Sequence, residues 1–280
     1  MIAFGLQLPV QSQSTIYAQP WERGAGVAEL VQVAQACEAA GFDYVAVCDH
    51  VAIPSAQAEA MSTEWWDTIA TLSYLAAVTD RVRLLSHVYV LPYRHPLLAA
   101  KAWATLDALS GGRAVLGVGV GHVAGEFAAL GVPFDERGRL LDEAIDAVRG
   151  ALRDAADRPR PVQDPLPIWV GGSSKPAMRR AAERGDGWLP QGPPEEGMAA
   201  GIDFVRSHRA SGPKAGDPLV IGALSGPLRL DSVDKVATYL RTYRDMGCDQ
   251  VQVGFKSSSA QDLCDQIARF AADVAPLVND

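Results

Sequence analysis

Eight short apolar runs recur along the chain, and segments with apolar residues at helical spacing follow most of them. The runs are 2–8, 44–48, 83–91, 114–118, 167–170, 187–189, 219–223 and 250–253. The helical segments are 27–40, 63–79, 97–109, 140–153, 176–184, 202–209, 232–246 and 260–278. This alternation is the pattern of parallel strands covered by helices. Eight such units with no break in composition predict one α/β domain over residues 1–280, a (β/α)8 TIM barrel with long loops at the strand C-terminal face. A doubly wound dinucleotide-binding sheet would rest on Gly119, Gly121 and Ala124. That match follows the fourth strand, and residues 139–142, about twenty positions on, read as helix rather than as a strand ending in an acid.

The chain has 280 residues, 48% of them hydrophobic, which suits a single large barrel. Its formal net charge is −8, and no basic run exceeds the pair Arg179-Arg180. Neither a nucleic-acid partner nor a membrane surface is expected. Cys37, Cys48, Cys248 and Cys264 lack CxxC spacing and read as reduced, packed thiols. With no signal-peptide pattern at the first residues and no stretch of membrane-spanning length, a cytoplasmic protein is expected.

In a barrel, functional side chains gather just beyond the strand C-terminal ends. Three of the five histidines fall there. The second strand ends in Asp49-His50, the third contains Ser86-His87, the fourth ends in Gly119-Val120-Gly121-His122, and the fifth in Gly171-Gly172-Ser173-Ser174. The loops 9–26 and 51–62 follow the first two strands and are long for βα links. Gly171 to Ser174 run into a helix whose first turn carries Pro176, so backbone N–H groups and hydroxyls converge at a positive dipole end. That is an anion cradle for a phosphate; the same residues serve equally as a turn in which Ser173 or Ser174 caps the helix. Asp49-His50 reads either as an acid/base pair or as a turn cap beside a satisfied imidazole. No HxH or HExxH spacing supports a metal centre, and no strand-end carboxylate pair supports a glycosidase.

The segments VCDH, LPYRHPLLAAKAWATLDALSGGRAVLGVGVG, EFAALG and PIWVGGSSKPAMRRAAERGDGWLP together resemble the bacterial luciferase-like superfamily. They are most similar to its branch of oxidoreductases that use the deazaflavin coenzyme F420. The resemblance implies a barrel with the cofactor ring across the strand C-terminal ends and a third-strand bulge, formed by Ser86, His87 and Val88, with a non-prolyl cis bond between His87 and Val88. It implies that Asp49 hydrogen-bonds the ring, that His50 assists ring or substrate chemistry, and that Gly119, Gly121 and the Gly172–Ser174 turn hold the ribityl and phosphate parts. Where sugar-phosphate dehydrogenases of this branch have a catalytic Glu, this chain has His122. The segment 153–165 is also shorter than usual, which leaves the pocket more open or completed by a second subunit.

The implied activity is hydride transfer between F420 and a small organic substrate, with His50 or His122 moving the proton. An FMN-dependent monooxygenase is the alternative, and a non-catalytic flavin- or deazaflavin-binding protein is the reading from another class. The acidic tail of F420 would meet Arg94, Lys101, Lys175 and Arg179. Tyr17, Trp21, Trp65 and Trp66 in the long loops suggest a partly aromatic substrate or serve helix packing. A homodimer is expected.

Overall fold

The computed structural model describes residues 1–15, 18–153 and 159–280. Nine strands form one all-parallel sheet: β1 Ala3–Gln7, β2 Tyr44–Val47, β3 Arg83–Ser86, β4 Tyr89–Val90, β5 Ala114–Gly119, β6 Ile168–Gly171, β7 Gly187–Leu189, β8 Val220–Leu228 and β9 Gln250–Phe255. Their order is β3-β2-β1-β9-β8-β7-β6-β5-β4, and β3 also pairs with β5. That extra pairing, Leu84 with Ala114 and Leu85 with Val115, closes the sheet. β3 and β4 are two halves of one barrel strand interrupted at His87-Val88, so the architecture is the eight-stranded (β/α)8 barrel expected from the apolar runs.

The helices are α1 Val27–Ala39, α2 Ala58–Met61, α3 Thr68–Val78, α4 Pro96–Ser110, α5 Ala124–Leu130, α6 Arg137–Arg153, α7 Lys175–Arg184, α8 Met198–Ser211, α9 Val233–Asp245, α10 Ala260–Arg269 and α11 Ala275–Asn279. Four differ from the sequence reading. The helix expected over 63–79 starts only at Thr68, because Asp67 caps it by accepting from the Ala70 N–H at 2.8 Å. The segment before it is extended, and Trp65 bridges Ser12 of the first long loop. The helix expected over 260–278 breaks into α10, a π turn Phe270–Val274 and α11. Pro276 lacks the N–H that a continuous α ladder requires there, which accounts for the shift. The other two are short: α2, within the long loop 51–62, and α5, a two-turn helix, add to the helices that apolar spacing predicts.

Two apolar layers stabilise the barrel. Tyr44, Ala46, Leu85, Val115, Trp169 and Leu189 form one buried cluster, with the Tyr44 and Trp169 rings edge to face. A much larger cluster, including Trp103, Leu30, Leu72, Ile145 and Phe270, joins strands to helices. Each fully buried side chain of Leu or Phe size contributes about 1.5–3 kcal/mol of transfer free energy. Gly111 ends α4 at φ 68°, a left-handed position that glycine takes without a Cβ clash. Among the described residues no helix is long and apolar enough to cross a membrane.

Candidate active site

The interrupted strand forms the floor of the barrel mouth. The His87–Val88 peptide bond is cis, where the resemblance placed it. Ser86, fully buried, donates its hydroxyl to the Gly117 carbonyl at 2.8 Å and fixes the end of β3. Val88 then turns toward β5 and β6. A Cβ on Gly119 would stand 2.3 Å from Val88 Cγ2, and one on Gly171 would stand 2.6 Å from Val88 Cγ1. These two glycines therefore make room for the bulge. Gly121, at φ 77°, gives way in the same manner to Val90 and Phe127. The resemblance cast Gly119 and Gly121 as cofactor-holding positions; their nearest neighbours are apolar side chains of the protein itself.

His87 is buried between strands and meets Gln252 Oε1 through Nδ1 at 2.9 Å. Burial lowers its pKa, only partly opposed by Gln252, so the ring is kept neutral. Its Nε2 is buried and has no hydrogen-bond partner among the described residues. A buried polar atom of this kind costs free energy unless something supplies the missing bond.

Asp49 follows β2 and is committed within the protein. Its Oδ2 accepts from the Val90 N–H at 2.7 Å and from Arg94 at 2.6 Å, and its Oδ1 accepts from Arg94 at 2.7 Å. The Arg94 guanidinium also lies 4.0 Å above the Tyr89 ring. This bidentate pair locks the strand end to the turn after β4. It spends most of the acceptor capacity that Asp49 would offer a ring, and it removes Arg94 from the cations expected to meet an acidic tail. Lys175 is paired as well, with Glu196 at 2.9 Å.

His50 is held from below by a residue the sequence reading did not single out. Glu126, in the first turn of α5, is completely buried. Its Oε1 accepts from the N–H groups of Val51, at 2.5 Å, and Ala52, at 3.0 Å. Its Oε2 meets His50 Nδ1 at 2.8 Å and the Tyr93 hydroxyl at 3.2 Å. Burial alone would raise this carboxyl, but His50 and the two N–H groups outweigh it and bring it down to about 2. The available sequence signal was a Glu inside the apolar EFAALG segment, one helical turn beyond the glycines. Its burial depends on the Val51–Ala52 loop folding over it, and no local pattern records that contact.

Above this anchor, the His50 ring lies 4.3 Å from Trp65 and 5.6 Å, edge to face, from His122. His122 is exposed as a residue with its ring partly covered, and it forms no hydrogen bond among the described residues. Partial burial and the neighbouring His50 lower its pKa, with Glu126 opposing. Trp65 is thus an aromatic wall of the mouth. Trp21 instead ties the first loop to Ser257 at 3.1 Å, Trp66 packs against the core, and Tyr17 lies outside the described residues.

The Gly171–Ser174 turn leads from β6 into α7. Gly172, at φ 113°, donates its N–H to Leu189 at 2.9 Å and accepts from Trp188 Nε1 at 2.8 Å. Ser173 donates to the Gly192 carbonyl at 2.7 Å, and Ser174 caps α7 by accepting from the Ala177 N–H at 3.4 Å. Both hydroxyls thus have internal partners. What the turn offers an anion is the backbone N–H groups and positive end of α7.

His50, His122 and Trp65 come together at one side of the mouth, with Glu126 beneath them; Ser86, His87 and Val88 form the strand-three floor. Residues 2–254 match the luciferase-like monooxygenase family model, and the chain belongs to that family. An uncharacterised protein of Mycobacterium tuberculosis is 33% identical over 254 residues, 81% of this chain and 84% of that protein. The FMNH2-dependent dimethylsulfone monooxygenase of Pseudomonas putida is 34% identical over 160 residues, 50% of this chain and 44% of that enzyme. Among solved structures, the monooxygenase RslO1 of Streptomyces bottropensis superposes with a TM-score of 0.78 at 21% identity, over 98% of this chain and 99% of that one. The coenzyme F420-dependent tetrahydromethanopterin reductase of Methanopyrus kandleri gives 0.68 at 16% identity, over 98% and 99%. The protein is therefore a luciferase-like barrel of a family of oxidoreductases and monooxygenases.

Proposed function

We propose that this chain is an F420-dependent oxidoreductase that moves a hydride between the deazaflavin and a small organic substrate. The observation that carries the reading is the contrast within the mouth: His50 is rigidly anchored by Glu126, while His87 Nε2 is buried without a partner. With Nδ1 donating to Gln252 Oε1 in a neutral ring, Nε2 is an acceptor, and a planar heterocycle that presents a ring N–H is the kind of group that would satisfy it. When bound, the deazaflavin supplies a hydride donor or acceptor at its C5. His50 takes or gives the accompanying proton, Trp65 walls the substrate against it, and the N–H groups at the start of α7 face the cofactor phosphate. The reading includes a homodimer and a soluble small-molecule substrate.

FMN is the second reading, favoured by the dimethylsulfone monooxygenase relative and by the engagement of Arg94 with Asp49. Fluorescence titration of the purified protein with F420 and, separately, FMN at one low salt concentration decides between them. Micromolar F420 binding with much weaker FMN binding is expected. Tight FMN binding without F420 would move the reading to a flavin monooxygenase, and binding of neither would overturn the cofactor assignment.

A further inference from the structure

We infer that Glu126 is the positioning residue that fixes the tautomer of His50, so that His50 Nε2, and not a nitrogen of His122, is the proton-handling atom of the mouth. The inference deepens the oxidoreductase reading and rests on it for the chemistry, but its geometry is independent of any cofactor.

Four donors converge on the Glu126 carboxylate. The N–H groups of Val51 and Ala52 both point at Oε1, and the Tyr93 hydroxyl and His50 Nδ1 both point at Oε2. An ionised carboxylate only accepts hydrogen bonds. Nδ1 of His50 must therefore carry a hydrogen, and a neutral ring then has Nε2 as its bare nitrogen. The same contact sets the ring plane, and Trp65 restrains it from the other side. This is the division of labour in which a buried carboxylate orients an imidazole and selects its tautomer while the opposite nitrogen faces the reaction.

His122 lacks every element of that device. Among the described residues it has no hydrogen-bond partner, it is exposed, and its ring meets His50 only edge to face. An unanchored imidazole holds neither a fixed tautomer nor a fixed direction, both of which efficient proton transfer needs. The remaining charged groups near His50 are already paired, Asp49 with Arg94. The carboxylate that the resemblance expected directly after the strand-four glycines is thus supplied one helical turn later, acting through His50.

The test is imidazole nitrogen NMR of the 15N-histidine-labelled protein without cofactor, at a pH about two units above the ordinary imidazole value, with His50 assigned by its loss in His50→Asn. Wild-type His50 is expected as the Nδ1–H tautomer and His122 as a tautomer mixture. In Glu126→Gln the amide oxygen stays on the Val51 and Ala52 N–H groups, which leaves its NH2 facing His50. Nδ1 must then accept, so the His50 tautomer inverts to Nε2–H. His87, held by Gln252, stays unchanged as the internal control. A wild-type His50 in the Nε2–H form would overturn the inference even if the variant did not fold. So would a folded variant with an unchanged tautomer. Because the spectra need no cofactor, their outcome is separable from the F420 and FMN titrations.

Discussion

The two ends of the barrel treat their arginine and histidine side chains differently. At the strand N-terminal end, charges are saturated. Arg113 donates to the carbonyls of Ser110, Ala76, Thr79 and Val82 and to the Thr79 hydroxyl. Arg209 does the same with Ala182, Gly185, Asp217 and Pro218. Asp186 is enclosed by Arg149, Lys214 and the Ile168 N–H. At the C-terminal end, the histidines are anchored on one side and left open on the other, His50 through Nδ1 and His87 through Nδ1, and His122 has no anchor among the described residues. Saturated networks hold a fold together, and half-satisfied ones hold a ligand.

The comparison breaks most visibly at Arg113. Arg113→Ala strips partners from four buried carbonyls and is expected to cost on the order of 3 kcal/mol in urea unfolding, since removing one side of a buried charged network leaves the other unsatisfied. A loss below about 1 kcal/mol would contradict the view of this face as the stabilising one. At the mouth, Gly119→Ala pushes a Cβ into Val88 and is expected to cost about 1–3 kcal/mol. The double variant Gly119→Ala, Val88→Ala should recover most of that loss, and simple additivity in the cycle would show that the two sites do not touch.

Acid sharpens the same contrast. Burial favours the neutral form of Glu126, but His50 and the Val51 and Ala52 N–H groups hold its folded pKa near 2. That is below the ordinary carboxyl value, so the group adds stability that is fully present above that value and is lost as pH falls from there toward 2. Glu126→Gln should show a shallower decline of stability across that window, and an identical slope would contradict the assignment. The smallest effect is expected at His122. Exposed and unbonded, it should change unfolding free energy by no more than about 0.5 kcal/mol when replaced by Asn.

Legibility in the sequence followed the same division. The eight strands were readable because each is a short apolar run bounded by turn residues, and Gly111 and a cap at Ser173 or Ser174 because their signals are local; the His87–Val88 bulge came from the family resemblance alone. Glu126 was not, because its partners come from a loop some seventy residues earlier in the chain. Gly119 and Gly121 show a related limit of local signals. A glycine in a motif reports close approach, but not whether a ligand or a neighbouring valine is what approaches. Pro276 is a local signal too, but the apolar spacing continues on either side of it and masks the break it imposes on the last helix.

The claim that the open end is the binding end is tested most directly by titrating whichever of F420 or FMN binds into the wild type, Ser173→Glu and Lys214→Met. A carboxylate at the start of α7 should weaken binding at least about tenfold, roughly 1.4 kcal/mol, while loss of Lys214 at the opposite face should leave affinity unchanged. Equal weakening in both variants, or none in Ser173→Glu, would contradict a cofactor seated across the mouth with its phosphate at α7.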